Sequence, residues 1–288
     1  VAKAALPGFA PAKVNLALHV TGQRSDGYHL LDSLVVFAGV GDVLTVTEAD
    51  ALSLSVGGPF AEGVPADGRN LVLRAARMLA VRRGVAAGGL LDLCKNLPHA
   101  AGIGGGSSDA AAALRLLSAH WGMACPGPDD PDLLALGADV PVCLGAPRPQ
   151  RMRGIGERLE PVPALPSAAL VLVNPRVEVA TRAVFARLAR KDNAPLPEPG
   201  EGMDYPDFLG WLRGTRNDLQ EPAEAIAPAV AEALTLMRAE PSVDHVVMSG
   251  SGATCVGVAA DIGLAGRAAA AIGRQRPGWW VVAAPMLS

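Results

Sequence analysis

Residues 10–21 alternate from Val14 onward, with Val14 and Leu16 on one face and Lys13, Asn15 and His19 on the other, which predicts an early strand. Alternation and β-branched content predict three more strands over 34–37, 43–47 and 52–56. Asn70 stands where a cap would open a helix over 71–83, with Leu71, Ala75, Met78 and Leu79 on its buried stripe. Gly88-Gly89 then punctuates ahead of a short alternating strand through Leu91 and Leu93, and a helix follows over 110–119. A breaker run at 125–131 precedes a short helix over 133–136 that ends at Gly137. The Pro- and Gly-rich stretch 145–167 reads as a domain boundary, giving domains 1–152 and 153–288. Beyond it come a buried strand over 168–174, a short helix around 184–189 and an aperiodic loop over 193–206. A helix is predicted over 222–239, with Ile226, Val230, Ala233, Leu234 and Met237 as its face. A strand over 255–258, a helix over 265–272 and a closing strand over 279–284 complete the pattern.

Between the strand at Leu91 and the helix that follows stand four glycines within 102–106, then Ser107, Ser108 and Asp109. Glycine lets main-chain N–H groups face a ligand with no Cβ in the way, and a helix start adds unpaired donors and the positive end of its dipole. This pattern fits a phosphate loop, or a turn that only packs strand against helix. It is neither a P-loop, lacking the Gly-Lys-Ser/Thr ending, nor a dinucleotide fingerprint, because Ser107 stands where a third glycine belongs.

The 288 residues suffice for one large or two ordinary domains, and no uninterrupted apolar run approaches the ~20 residues of a membrane span. A net charge of −3 argues against a nucleic-acid surface. The basic residues between Arg148 and Arg158 read as anion contacts or a solvated loop. Cys94, Cys125, Cys143 and Cys255 are scattered without metal-site spacing, as in a reduced, mostly buried set. The N-terminus lacks a signal-peptide pattern, so a soluble cytoplasmic protein is expected.

Several polar positions have two readings. Lys13 and Asn15 are either surface decoration or part of a site, whereas His19 reads as a structural histidine. Asp26-Gly27 marks a turn, and Tyr28-His29 either cover strand ends or offer rings for stacking. Asp139, among apolar neighbours and just before Pro141, is an N-cap or a base kept ionised by a cation. The run 249–254 (Ser-Gly-Ser-Gly-Ala-Thr) is a flexible hairpin turn or a second ligand loop.

Three segments together resemble the GHMP kinases, the family of galactokinase and of homoserine, mevalonate and phosphomevalonate kinases. They are 11–16 (Pro-Ala-Lys-Val-Asn-Leu), the loop 102–108 and the run 249–254, in the family's order and at about its spacing. The stretches 24–29 (Arg-Ser-Asp-Gly-Tyr-His) and 137–141 (Gly-Ala-Asp-Val-Pro) narrow the resemblance to the branch of the non-mevalonate isoprenoid route. Substrates there carry a cytidine diphosphate handle on a methylerythritol whose 2-hydroxyl receives the γ-phosphoryl group of ATP.

The resemblance implies a mixed α/β fold of two α+β domains, the first like the second domain of ribosomal protein S5 and the second ferredoxin-like. It implies an ATP- and Mg²⁺-dependent small-molecule kinase, monomeric or weakly dimeric, with no nucleic-acid or membrane partner. Lys13 and Asp139 match the catalytic pair. Pro98, Ala100, Ala101, Gly102, Ile103, Gly104, Gly105, Gly106, Ser107 and Ser108 match the ATP-binding segment, with Ser108 as a Mg²⁺ contact. Asn15, Tyr28, His29, Asp139, Thr181, Phe185, Gly250, Ser251 and Gly252 match substrate-binding positions, Tyr28 and Phe185 being the stacking faces for cytidine. No role attaches to 146–153 or 193–206.

Overall fold

The computed structural model describes residues 8–84 and 88–288; the N-terminal stretch read for a targeting signal begins outside them. The chain forms two compact units, each discontinuous in sequence. One contains 39–99, 104–146 and the described residues up to 12; the other contains 13–38, 100–103 and 147–288. A single cut after residue 152 does not reproduce them. Strands β1 (Phe9–Gln23) and β2 (His29–Thr47) and the glycine loop each contribute residues to both.

In the first unit β3 (Leu52–Gly57) pairs in parallel with β4 (Gly89–Cys94), and helix α1 (Leu71–Arg83) supplies the crossover that parallel neighbours need. The Asn70 side chain accepts from Val72 N at 2.9 Å, and Gly84 ends the helix at a φ of 68°, as a left-handed cap should. Residues 43–47 of β2 pair antiparallel with β4, Val43 lying opposite Cys94. Leu44, Leu79, Leu91 and Leu93 form a core with Leu114 and Leu117 of α2 (Gly105–His120). Short helices α3 (Pro131–Leu136) and α4 (Val140–Leu144) follow. The sequence pattern breaks β2 between residues 37 and 43, yet the strand is continuous. Gly41 serves close approach there, since a Cβ would lie 2.2 Å from Ala10 O.

In the second unit β5 (Gln150–Gly154) and β6 (Arg158–Pro161) form a hairpin, and β5 pairs with residues 31–35 of β2. The boundary stretch is therefore partly sheet: Arg151, Arg153 and Arg158 lie on its strands, whereas Arg148 is exposed in the loop before them. Arg151 is buried in a two-pronged ion pair with Asp32 of β2, a partner that local sequence cannot reveal. Strand β7 (Ala169–Asn174) is followed by helices α5 (Thr181–Ala186), α6 (Tyr205–Arg213), α7 (Gln220–Ile226) and α8 (Pro228–Ala239). Strands β8 (His245–Met248) and β9 (Cys255–Ala259), helix α9 (Ile262–Gln275) and strand β10 (Trp280–Leu287) close the chain.

The antiparallel order is β10-β7-β9-β8, and Val171, Val173, Val230, Leu234, Ala268 and Ile272 lie in its core. The predicted helix over 222–239 is two helices. Pro228 lacks the N–H that would continue the first and suits the opening turn of the second. Helix α6, capped by Asp204, has no counterpart in the sequence pattern. Two of the four cysteines, Cys94 and Cys125, are exposed. No helix among the described residues is long and apolar enough to cross a membrane.

Candidate active site

Helix α2 opens on Gly104, left-handed at a φ of 63°, with no side chain capping its first turn. Its leading N–H groups lack partners within the helix, which is the arrangement that receives an anion. Ser107 is partly exposed in that turn, whereas Ser108 is fully buried and its hydroxyl donates to Pro11 O at 2.7 Å. Ser108, the expected Mg²⁺ contact, thus has its hydroxyl proton committed to a main-chain carbonyl, which anchors the loop. Pro98, Ala101 and Ile103 are also buried, so only their main chain can face a nucleotide.

The carbonyls ahead of α2 are engaged one after another. Ala101 O accepts from Thr254 N at 3.2 Å, Gly102 O from the Ser249 hydroxyl at 3.0 Å and Ile103 O from Lys13 N at 2.9 Å. Gly104 O accepts from Ser108 N at 2.8 Å. Engaged carbonyls present less negative dipole to an approaching phosphate, and N–H groups remain the loop's outward chemistry. Gly102 is required here. Its φ is 72°, and a Cβ would lie 2.6 Å from both Gly252 O and Ser249 O.

In the second unit, Asn15 and the run 249–254 are tied together. Asn15 N donates to the Ser249 hydroxyl at 3.0 Å, and Asn15 Nδ2 donates to the Ser33 hydroxyl at 2.7 Å. Asn15 Oδ1 is buried without a hydrogen-bond partner, and a Cβ on Gly250 would stand 3.5 Å from it. Lys13 and Asn15 are both buried, which removes the surface-decoration reading. The run 249–254 is indeed the turn of the β8–β9 hairpin, but not a loose one. Asn217 Nδ2 donates to Met248 O and Gly250 O at 2.7 and 2.8 Å, and Asn174 Nδ2 donates to the Thr254 hydroxyl at 2.9 Å. Thr181 and Ser251 meet hydroxyl to hydroxyl at 2.8 Å. His19 is structural, bridging Ala194 O and Arg216 N.

One helical turn beyond Thr181, Phe185 stacks on His29 with centroids 4.8 Å apart and planes at 25°. Phe185 thus has a ring partner in His29, while Tyr28 is 61% exposed. Burial, and secondarily the positive charge of Lys191, hold the His29 imidazole below its ordinary pKa. Its Nε2 is buried and unpartnered.

In the first unit Asp139 occupies the N-cap position of α4 and is partly exposed, yet its carboxylate does not cap the helix. That removes the plain capping reading. Sequence reasoning missed a buried charge cluster behind the glycines: Lys95 Nζ contacts Asp42 Oδ2 and, at 2.7 Å, Asp109 Oδ2. A Cβ on Gly105 would lie 3.6 Å from that ammonium. It also missed Ser33 and Asn217, whose roles depend on distant partners and leave no local signal. Among the described residues no group of three or more His, Cys, Asp or Glu side chains could hold a metal.

The GHMP kinase N-terminal domain model matches residues 70–147, and the GHMP kinase C-terminal model matches 204–277. A relative from Ruegeria pomeroyi, named 4-diphosphocytidyl-2-C-methyl-D-erythritol kinase, is 53% identical over 96% of this chain and 97% of its own length. One of the same name from Jannaschia sp. is 55% identical over 97% of each. A crystal structure of 4-(cytidine 5'-diphospho)-2C-methyl-D-erythritol kinase superposes with a TM-score of 0.76 at 34% identity, covering 97% of this chain and 98% of that one. The chain belongs to the GHMP kinases, in their 4-diphosphocytidyl-2-C-methyl-D-erythritol kinase branch.

Proposed function

We propose that the protein transfers the γ-phosphoryl group of ATP to the 2-hydroxyl of 4-diphosphocytidyl-2-C-methyl-D-erythritol. The observation that carries this reading is 53% identity to an enzyme of that name across nearly the whole of both chains. The uncapped, glycine-lined start of α2 supports the triphosphate role. The unpartnered Asn15 Oδ1 supports a polar contact to substrate, because a buried acceptor left open costs free energy unless a ligand donor meets it.

Phosphoryl transfer depends mainly on positioning and on electrostatic stabilisation of the moving group. Asp139 orients the attacking hydroxyl and accepts its proton. Lys13 neutralises charge growing on the transferred phosphoryl oxygens. Tyr28, His29 and Phe185 hold the cytidine, His29 through a neutral ring that can share a proton with the base edge. Thr181, Gly250, Ser251 and Gly252 close around the substrate.

Magnesium ions bind through few protein oxygens together with nucleotide phosphates, and the partly exposed Ser107 hydroxyl and Asp139 carboxylate fit that donor type. When bound, the ion would offset negative charge on the nucleotide's phosphates.

The test is ADP release with ATP, Mg²⁺ and the cytidine-bearing substrate, beside homoserine, mevalonate and no-acceptor controls. Release with the cytidine substrate alone is expected; release with another alcohol instead sinks the substrate assignment. In the same assay Asp139→Asn should lower kcat on the order of 10²-fold. An unchanged kcat removes Asp139 from the chemistry.

A further inference from the structure

The irregular chain between α5 and α6 holds none of the residues assigned above, yet it is fastened by buried groups. Val20 O accepts from both N and Nδ2 of Asn193 at 3.1 Å, and His19 Nδ1 donates to Ala194 O at 2.9 Å. Leu196 N donates to Asp32 Oδ2 at 3.0 Å, while Arg151, gripped by Asp32, donates to Leu196 O at 2.6 Å. His19, Asp32 and Arg151 are all buried. Partnered groups of this kind hold a loop in one place, whereas solvated loops are mobile.

What they hold in place is Lys191, at the start of the fastened stretch. Lys191 Nζ donates to Gln23 Oε1 at 3.1 Å, and Gln23 Nε2 donates to Gly27 O at 3.0 Å. Gly27 directly precedes Tyr28 and His29. That turn is itself closed, with Arg24 N donating to Tyr28 O at 2.8 Å. Its other charges are spoken for: Arg24 pairs with Asp26 and Arg190 with Asp192. Lys191 instead meets a neutral amide, and its field reaches the His29 ring.

A nucleoside diphosphate carries its charge one sugar away from its base. A site that holds the base therefore has use for a fixed cation beside the base-binding rings, and an ammonium serves as a compact point charge there. We propose that Lys191 binds the diphosphate of the cytidine-bearing substrate and is positioned by the 193–196 strap. The proposal rests on the cytidine reading of Tyr28 and His29.

Competition by cytidine and by CDP against the substrate, in the wild type, Lys191→Met and Lys191→Arg, tests it. Lys191→Met should weaken CDP about tenfold and leave cytidine within about twofold, as expected for loss of one charge contact. Lys191→Arg should restore most of the CDP affinity. Equal weakening of cytidine and CDP overturns the proposal, because the lysine would then only support the turn. Unchanged CDP binding overturns it as well. If neither compound competes in the wild type, the cytidine reading itself falls, and this proposal with it.

Discussion

The side-chain amide of Asn15 donates to the Ser33 hydroxyl at 2.7 Å, and that hydroxyl donates in turn to Ala17 O at 2.6 Å. This relay decides which end of the Asn15 amide stays open. With Nδ2 committed to Ser33, Oδ1 remains as the unpartnered acceptor beside Gly250. Ser33→Ala strands the Asn15 side-chain N–H in a buried place, at a cost of about 1–3 kcal/mol. Urea unfolding should show that loss, together with a fall in kcat/KM larger than the change in KM for ATP.

Gly102→Ala adds a Cβ where two carbonyl oxygens stand at 2.6 Å and holds a non-glycine residue at a φ of 72°. Backbone strain of this kind costs about 1–3 kcal/mol before the clash is counted. The variant should melt lower than the wild type and show a raised KM for ATP. A wild-type melting temperature would mean that the loop relaxes freely.

Lys95 and Asp109 should differ sharply on substitution. Lys95→Met removes the cation that the buried Asp42 and Asp109 share, and breaking a buried pair in this way costs about 3–5 kcal/mol. Burial, and secondarily the neighbouring Asp42, push the Asp109 carboxyl up, against the pull of Lys95. Its ionisation is thus opposed by its surroundings, and Asp109→Asn, which removes that charge, should cost well under the Lys95 figure in the same unfolding assay.

His245 sets an acid limit on stability. Burial, and then the charges of Arg213 and Arg238, hold its pKa down to about 4 against an ordinary 6.5. Between those values the unfolded chain binds the extra proton. The contribution is therefore complete above about pH 6.5 and is lost as the pH falls toward 4. By linkage the loss is on the order of 3 kcal/mol. His245→Gln should flatten this stretch of the stability profile, as read from urea midpoints at pH 7 and 4.5; an unchanged slope would assign the acid loss to other groups.

Much of the first unit is legible along the chain because its signals are local. Asn70, the apolar stripe after it and the closing Gly84 announce α1 without reference to any other segment. The β8–β9 turn and the glycine-to-helix junction are announced by composition in the same way. Pairing across distance is less legible. The hairpin at 150–161 hides in a Pro- and Gly-rich stretch because its strands are stabilised by β2 and by Asp32, more than a hundred residues earlier. Pro228 was visible throughout, but a continuous apolar face on both sides of it masked the break.

The motifs and their order along the chain carried the resemblance to a kinase family, and glycine, serine and aspartate there bring their chemistry in their own backbone and side chains. Tertiary structure decided which atoms of those residues are available. Ser108 and Ser107 are adjacent and chemically identical, yet one hydroxyl is enclosed against Pro11 O and the other partly exposed. Asn15 presents its oxygen because Ser33 claims its nitrogen. Spacing determines which residues can share a site, whereas hydrogen-bond satisfaction across the fold determines which of their atoms are left for a ligand.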